Sequence, residues 1–184
     1  MIALGIDPGL SNGAAVLLDM RQRPAVIMDA LAWSAGKKNG KPVMRRWRCI
    51  DAVRHVEVAV EVEQFRAWGL HAWITTTHGL RVDRAAVEWV PPGRTHGVNK
   101  EHLRECGRMI GFIQAYRVLV PETPTPAEWR RSVFGLRSNL KGPAADAAIL
   151  ALLPALVTLP DGVPPWAMKH LPDACGVALS LRTA

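Results

Sequence analysis

The stretch that decides the fold is residues 2–18, which read Ile-Ala-Leu-Gly-Ile-Asp-Pro-Gly-Leu-Ser-Asn-Gly-Ala-Ala-Val-Leu-Leu. Two short apolar runs flank a segment of residues that favour turns. This spacing predicts a hairpin of two buried strands. Asp7 ends the first strand, where a carboxylate is costly unless a cation or hydrogen-bond donors face it. Taken alone, Asp7 fits either a turn cap or a functional site.

Composition predicts one folded domain over residues 1–184. Of the 184 residues, 49% are apolar and 21% are charged, as in soluble globular proteins. No apolar run is long enough to span a bilayer, and no signal-like segment opens the sequence. The three cysteines are far apart, which argues against a disulfide framework or a zinc site. We therefore expect a cytoplasmic protein without membrane association.

Charge favours a polyanionic partner, because the net charge is +7. The most basic segment is residues 36–48, and its Gly, Asn and Pro residues are typical of a loop. This loop is either simply solvated or a flap that follows a phosphate backbone, in which case Trp47 could stack on a base.

Hydrophobic periodicity along the rest of the sequence predicts a mixed sheet and several helices. Residues 24–32 read as a third strand, which completes an antiparallel meander of three. Residues 49–77 fit a helix, although 56–62 also alternate as a strand would; the length without Gly or Pro favours the helix. Residues 85–90 and 117–120 are the predicted fourth and fifth strands.

Four more helices are predicted from the same periodicity. They begin at residue 99 or 100, where Gly107 and Gly111 would allow close packing on the sheet, and then cover 127–134, 143–153 and a last segment from about 172. The predicted fold is therefore α/β, with a five-stranded mixed sheet flanked by helices. Three of its strands are antiparallel and two are linked by helices.

Three carboxylates stand out once these strands are placed. Asp7 ends the first strand, Glu88 lies in the fourth, and Asp173 opens the last helix. If the first and fourth strands are neighbours, Asp7 and Glu88 lie side by side, and Asp173 could close a triangle with them. Clustered carboxylates suit hard cations such as Mg²⁺, and two ions about 4 Å apart can drive phosphodiester hydrolysis.

Alternatives remain open for two of these acids. Glu63, in Val62-Glu63-Gln64-Phe65, or the nearby Glu61 could take the place of Glu88, which could instead pair with an arginine in a structural role. Asp146 could take the place of Asp173, or it could be a helix-start carboxylate favoured by the helix dipole.

The sequence resembles RuvC-type Holliday-junction resolvases, most closely their small phage and prophage branch. The resemblance is carried by Gly5-Ile6-Asp7-Pro8-Gly9-Leu10 with Gly13, by Ala86-Val87-Glu88, and by His170-Leu-Pro-Asp173-Ala174. The Gly107 and Gly111 helix, residues 118–121, Trp129-Arg130 and Lys141 before an alanine-rich helix follow in the same order. The resemblance implies a fold of the ribonuclease H type.

The resemblance also implies a function. It is that of a metal-dependent endonuclease, a homodimer that nicks four-way junctions or other branched DNA and leaves 5′-phosphate and 3′-hydroxyl ends. Asp7 would bind both of two Mg²⁺ ions (or Mn²⁺), Glu88 one of them, and Asp173 would complete the set. His170 would be a ligand or would position the attacking water.

Several basic residues are expected to contact DNA. By resemblance, Lys141 and Arg130 would contact the phosphate backbone near the cut. Further candidates are Arg94, Lys100, Arg104 and Arg137. Two related functions remain open, namely a catalytically inactive module that binds branched DNA and a debranching or flap nuclease on the same fold.

Overall fold

The structure is a computed structural model that describes residues 1–9, 11–50, 54–61, 73, 82–89, 100–117, 120–137, 139–140 and 142–182. A β-sheet forms its centre, and helices pack on both faces. The first strands form an antiparallel meander of β1 (Ile2–Asp7), β2 (Asn12–Asp19), β3 (Ala25–Lys38), β4 (Lys41–Ile50) and β5 (Arg54–Glu61).

Two more strands complete the described sheet. β6 (Arg84–Val87) pairs in parallel with the free side of β1, so the order across the sheet is β5-β4-β3-β2-β1-β6. β7 (Val157–Thr158) pairs in parallel with the start of β3. Because β6 joins next to β1, the ends of these two strands meet at one edge of the sheet.

The described helices are α1 (Lys100–Arg117), α2 (Pro126–Phe134), α3 (Pro143–Leu152) and α4 (Leu171–Ser180). Short 3-10 turns cover Leu153–Ala155 and Ala167–Lys169. Thr125 and Glu128 form a capping box at the start of α2, which satisfies backbone donors that a helix start leaves open. No helix within the described part of the chain has the length and apolar character needed to cross a membrane.

Side-chain alternation along the strands builds two cores, one on each face of the sheet. On the first face, the α4 face, residues such as Ala3, Val16 and Trp47 pack with α2, α3 and α4. On the other, the α1 face, residues such as Leu4 and Ile6 pack with α1. The chain is therefore a three-layer structure with the sheet in the middle.

Gly5 allows α4 to lie directly on β1. A Cβ at Gly5 would be 2.3 Å from the carbonyl oxygen of Ala174 and 2.6 Å from the backbone nitrogen of Ala178. Only a residue without a side chain fits there, since real Cβ atoms do not approach backbone so closely. This contact holds the start of α4 near the end of β1.

The predicted α/β fold class is confirmed. The three antiparallel strands are β1, β2 and β3. The first helix-linked strand is β6, and after α1 the chain returns to the sheet at Glu122, which forms a single parallel bridge with Ala86. The sheet is wider than this five-stranded set, because β4, β5 and β7 extend it.

The predicted loop over 36–48 is wrong, because β3 continues to Lys38 and β4 begins at Lys41. Asn39 and Gly40 both have positive φ, 51° and 76°, which is the geometry of the two-residue type I′ turn favoured by Asn-Gly. Trp47 is buried in the α4-face core, so its predicted stacking on a base is wrong as well.

The helix predicted over 49–77 is wrong where β4 ends and β5 follows. The alternation of Val56, Val58 and Val60 with polar or small residues decides the conformation, because β5 pairs with β4 over its full length. Trp73 is helical, and residues 51–53, 62–72 and 74–77 lie outside the described residues.

Two predictions for the segment after residue 100 are also wrong. Arg117 ends α1 instead of opening a strand, and the parallel bridge to β6 comes later, at Glu122; residues 118–119 lie outside the described residues. Gly107 and Gly111 are exposed, and a Cβ at either would meet nothing within 4 Å. Met109 and Ile113 face the sheet instead.

Candidate active site

Asp7 and Glu88 lie side by side at the edge where β1 and β6 end. The backbone N–H of Glu88, which directly follows β6, donates to the carbonyl oxygen of Ile6 at 2.9 Å. Ile6 belongs to the α1-face core, so alternation places Asp7 on the α4 face. Asp173 lies in the first turn of α4, which packs on that same face.

His170 connects the start of α4 to the end of β1. It immediately precedes the helix, and its Nδ1 is 3.3 Å from Oδ2 of Asp7. Pro172 is tolerated here because the first turn of a helix needs no backbone N–H donor. The predicted pair His170 and Asp173 therefore both reach the edge of the sheet that carries Asp7.

From the sequence, Trp129 was noted only as part of a motif. The structure shows that it is the hydrogen-bond donor to Glu88. Its ring is fully buried, and its indole N–H donates to Oε1 of Glu88 at 2.9 Å. Gly176 on α4 leaves room for this ring, since a Cβ there would be 2.5 Å from it. A buried indole N–H usually finds an acceptor, but the sequence does not identify which one.

Burial and the nearby charge of Asp7 raise the pKa values of two of these acids. Burial raises the pKa of Glu88 well above its ordinary value of 4.5, the charge of Asp7 raises it further, and the hydrogen bond from Trp129 lowers it. Burial also raises the pKa of Asp173 from 3.8 to about 7, with Asp7 adding to the rise and Arg130 opposing it. Such shifts are typical of functional sites.

Arg130 belongs to the same cluster. Its Nη2 is 3.7 Å from Oδ2 of Asp173, and its guanidinium lies 5.1 Å from the ring centre of Trp129. Its Nε is buried without a hydrogen-bond partner among the described residues. The guanidinium therefore adds a positive charge beside the acids.

Two solved structures are similar to this chain over nearly its whole length. One is described as a Thermus thermophilus RuvC structure, with 16% identity, coverage of 98% of this chain and 92% of that one, and a TM-score of 0.53. The other is T. thermophilus RuvC in complex with Holliday junction substrate, with 15% identity, coverage of 98% and 91%, and a TM-score of 0.55. The chain has the RuvC fold. A scan of protein-family models and a search of curated proteins found no match.

Within this RuvC fold, two of the alternative acids can be placed. Asp146 is exposed in the first turn of α3, and its charge raises the pKa of Asp173, so it is a neighbour of the cluster. Glu61 ends β5, which is separated from β1 by three strands. Glu63 lies outside the described residues.

The basic residues expected to contact DNA are divided between the two faces. Arg137 is exposed just after α2, on the side of the acids. Arg104 is exposed on α1, which packs on the opposite face of the sheet. The other candidates, which are Arg94, Lys141 and the side chain of Lys100, lie outside the described residues.

The donor set fits a hard divalent cation in its chemistry. Carboxylate oxygens are the ligands that Mg²⁺ prefers. Burial, and after it the charge of Asp7, raises the pKa of Glu88 and of Asp173, and a bound cation would offset both effects by neutralising the carboxylates. In the part of the chain that the structure describes, however, no three His, Cys, Asp or Glu side chains form a ready-made ion site. The acids are close enough for their charges to interact, but as they stand they do not surround a single ion position.

Proposed function

We propose that this protein is a metal-dependent endonuclease that cleaves branched DNA, with the four-way junction as its main substrate. The observation that carries the proposal is the convergence of Asp7, Glu88 and Asp173 at one edge of a RuvC-type sheet. Support comes from the like fold of a RuvC bound to a Holliday junction and from the net charge of +7, which suits a phosphate backbone.

Asp7, Glu88 and Asp173 would hold two Mg²⁺ ions, and His170 would be a further ligand or would orient the attacking water. Mn²⁺ would be able to replace Mg²⁺. When bound, such ions activate a water and stabilise the leaving oxygen of a phosphodiester. The water would attack phosphorus as the bond from phosphorus to the 3′ oxygen breaks. The water would lose a proton and the leaving oxygen would gain one, which gives a 5′-phosphate and a 3′-hydroxyl.

The surrounding residues hold these groups in place. Trp129 orients the Glu88 carboxylate through its indole N–H, and Asp7 orients the imidazole of His170. Arg130, beside Asp173, binds a phosphate oxygen near the cut, and Lys141 does the same. These contacts place the substrate, because most protein–DNA hydrogen bonds go to the backbone.

The protein would act as a homodimer. A four-way junction presents two symmetric strands, so two copies related by a two-fold axis would each cut one of them. The metal-binding groups of each copy come from its own chain, since Asp7, Glu88 and Asp173 lie in one subunit.

The decisive experiment compares the wild type with Asp7→Asn on a labelled four-way junction. We expect the variant to bind the junction about as tightly as the wild type but to lose Mg²⁺-dependent cleavage, because a neutral amide cannot replace a carboxylate as a ligand of Mg²⁺. Binding is measured in EDTA and cleavage after adding Mg²⁺. Unchanged cutting by the variant would contradict the proposal.

One observation favours a second candidate, a module that binds branched DNA without cutting it. The described acids do not enclose an ion as they stand. The purified wild type is therefore incubated with the junction in Mg²⁺ and in Mn²⁺. Tight binding with no nicking in either metal would favour the inactive module.

A further inference from the structure

A dense group of positive charges lies on the basic hairpin, which we define as residues 35–46 at the end of β3 and the start of β4. The sequence has no Asp or Glu between Asp29 and Asp51. The hairpin carries five basic side chains, which are Lys37, Lys38, Lys41, Arg45 and Arg46. The three lysines are exposed around its tip.

The tip of the basic hairpin has a defined geometry. Lys38 pairs directly with Lys41 across the two-residue turn, and the positive φ angles of Asn39 and Gly40 fit the type I′ turn. This turn matches the twist of its strands, so the lysines occupy set positions at the end of a ribbon.

Lys38 and Lys41 are an unfavourable pair by themselves. Directly opposed residues of an antiparallel pair place their side chains on the same face, where like charges destabilise the strands. A bound anion would relieve the repulsion. The arrangement therefore points to a negatively charged ligand.

The lysine pair lies on the same face and toward the same end of the sheet as the acids. Asp7 is level with Ala14, and Ala14 is level with Ala32 on β3. β3 runs parallel to β1 and continues for six residues from Ala32 to Lys38, a distance of roughly 20 Å. Lys38 and Asp7 share the α4 face, since Lys38 follows Ala32 by an even number of positions along β3.

Arg45 anchors the base of the basic hairpin near the acid cluster. Its guanidinium lies 5.1 Å from the ring centre of Trp166, a cation–π distance. Trp166 directly precedes the 3-10 turn Ala167–Lys169, which leads to His170. The direction of the hairpin is therefore tied to the segment that carries a candidate active-site residue.

We propose that the basic hairpin binds the phosphate backbone of a duplex arm of the DNA substrate, roughly 20 Å from the scissile phosphate. This inference rests on the proposed function for the position of the DNA. At about 3.4 Å per base pair, the contact lies about six base pairs from the cut. The hairpin would thereby select DNA in which a duplex arm leaves the branch point in this direction.

The test measures junction binding in EDTA, where no cleavage occurs. The KCl concentration is varied from about 50 to about 200 mM, a range over which phosphate contacts weaken strongly with salt. For K37A/K38A/K41A we expect the slope of log K against log salt to become less steep by about 2, because Lys38 and Lys41, which share the α4 face, account for two phosphate contacts and each lost contact removes about 0.9. K37R/K38R/K41R keeps the charge and the slope. Arg23→Ala, in the turn at the opposite end of β3, also keeps the slope.

A second measurement locates the contact. Neutral methylphosphonates replace the phosphates about six base pairs from the branch point, on one arm at a time. On one arm they weaken binding by the wild type several-fold and leave K37A/K38A/K41A unaffected. An unchanged salt slope in K37A/K38A/K41A, or equal sensitivity of both proteins to the neutral phosphates, would overturn the inference. Aggregation of K37A/K38A/K41A with an unchanged slope would assign the lysines to protection of the sheet edge and would overturn it too.

The two proposals can fail separately. If the binding results are as expected but the wild type cuts no DNA in Mg²⁺ or Mn²⁺, the hairpin contact stands and the nuclease proposal fails. If the wild type cuts junctions but K37A/K38A/K41A has the same salt slope as the wild type, the nuclease proposal stands and the hairpin contact fails.

Discussion

Trp129 joins the core to the candidate active site within a single side chain. Its ring fills the space left by Gly176 and packs edge-on against Phe134 at 6.1 Å, while its indole N–H donates to Glu88. The sequence singled out Asp7 and Glu88 as candidates, because an ionisable residue in an apolar strand is conspicuous. It did not identify Trp129 as the partner of Glu88, since that pairing depends on how α2 packs on the sheet.

Trp129→Phe keeps an aromatic ring in the core and removes the donor to Glu88. We expect the Mg²⁺ concentration for half-maximal junction cleavage to rise about 10- to 100-fold, as when other groups that orient metal ligands are lost. Trp73→Phe is the matched control, because the Trp73 indole also donates to a buried carboxylate, Asp29, away from the acids. An equal rise in both variants would contradict a positioning role for Trp129.

The pKa of Asp173 predicts how the metal-free protein responds to pH. It is about 7 in the folded chain and about 4 when unfolded, so between these pH values the unfolded state binds fewer protons. In EDTA, the contribution of Asp173 to the free energy of unfolding is therefore fully present below about pH 4. It is lost as the pH rises from about 4 to about 7.

Asp173→Asn removes this titration. At pH 8 in EDTA we expect its Tm to exceed that of the wild type by roughly 5 °C, the size expected for about 2 kcal/mol. Asp161→Asn, an exposed acid in a turn, is the control and leaves Tm unchanged. A lower Tm for Asp173→Asn would show that the ionised carboxylate stabilises the fold.

Among the elements, helices with one clear apolar face were predictable and the strands on the far side of the sheet were not. α2, α3 and α4 begin within about one residue of the predicted positions, because Pro and capping residues mark their starts. β5 was misread because its valines satisfy a helical and a strand period over so short a stretch. Gly107 and Gly111 were misplaced because periodicity does not say which face of α1 meets the sheet.

Substitution by alanine is expected to have opposite effects on stability at Gly5 and at Gly107. Gly5→Ala should destabilise the protein by about 3 kcal/mol, because the new Cβ would collide with the backbone of α4. Gly107→Ala should stabilise it by about 0.5–1 kcal/mol, since Cβ meets open space in a helix interior. Urea unfolding measures both; a tolerated Gly5→Ala would contradict the close contact between α4 and β1.

At the scale of the whole molecule, the order of motifs was enough to predict a RuvC-type sheet with three acids at one edge. The widened half of the sheet was not predictable, because β4 and β5 are stabilised by pairing with each other and with β3. The acids and the Lys38–Lys41 pair lie on the α4 face of this sheet, whereas α1 covers the other face.

The homodimer proposal predicts the products of mixed subunits. When wild type and Asp7→Asn are mixed in equal amounts and allowed to exchange, about half of the dimers carry one active subunit. We expect these to release junctions nicked on one strand, which a denaturing gel separates from doubly cut products. Paired cuts alone, with a simple loss of rate, would contradict independent action by the two subunits.

The contact between α4 and β1 also makes the candidate active site depend on two distant parts of the chain. His170 and Asp7 are 163 residues apart in the sequence, so bringing them together closes a very long loop. Contacts of such large separation in sequence are slow to form, because the loop-closure entropy is lost before the contact rewards it. A chain in which α4 has not yet packed on β1 has Asp7 and Glu88 at the sheet but neither Asp173 nor His170 beside them, so DNA cutting would begin only after this long-range contact has formed.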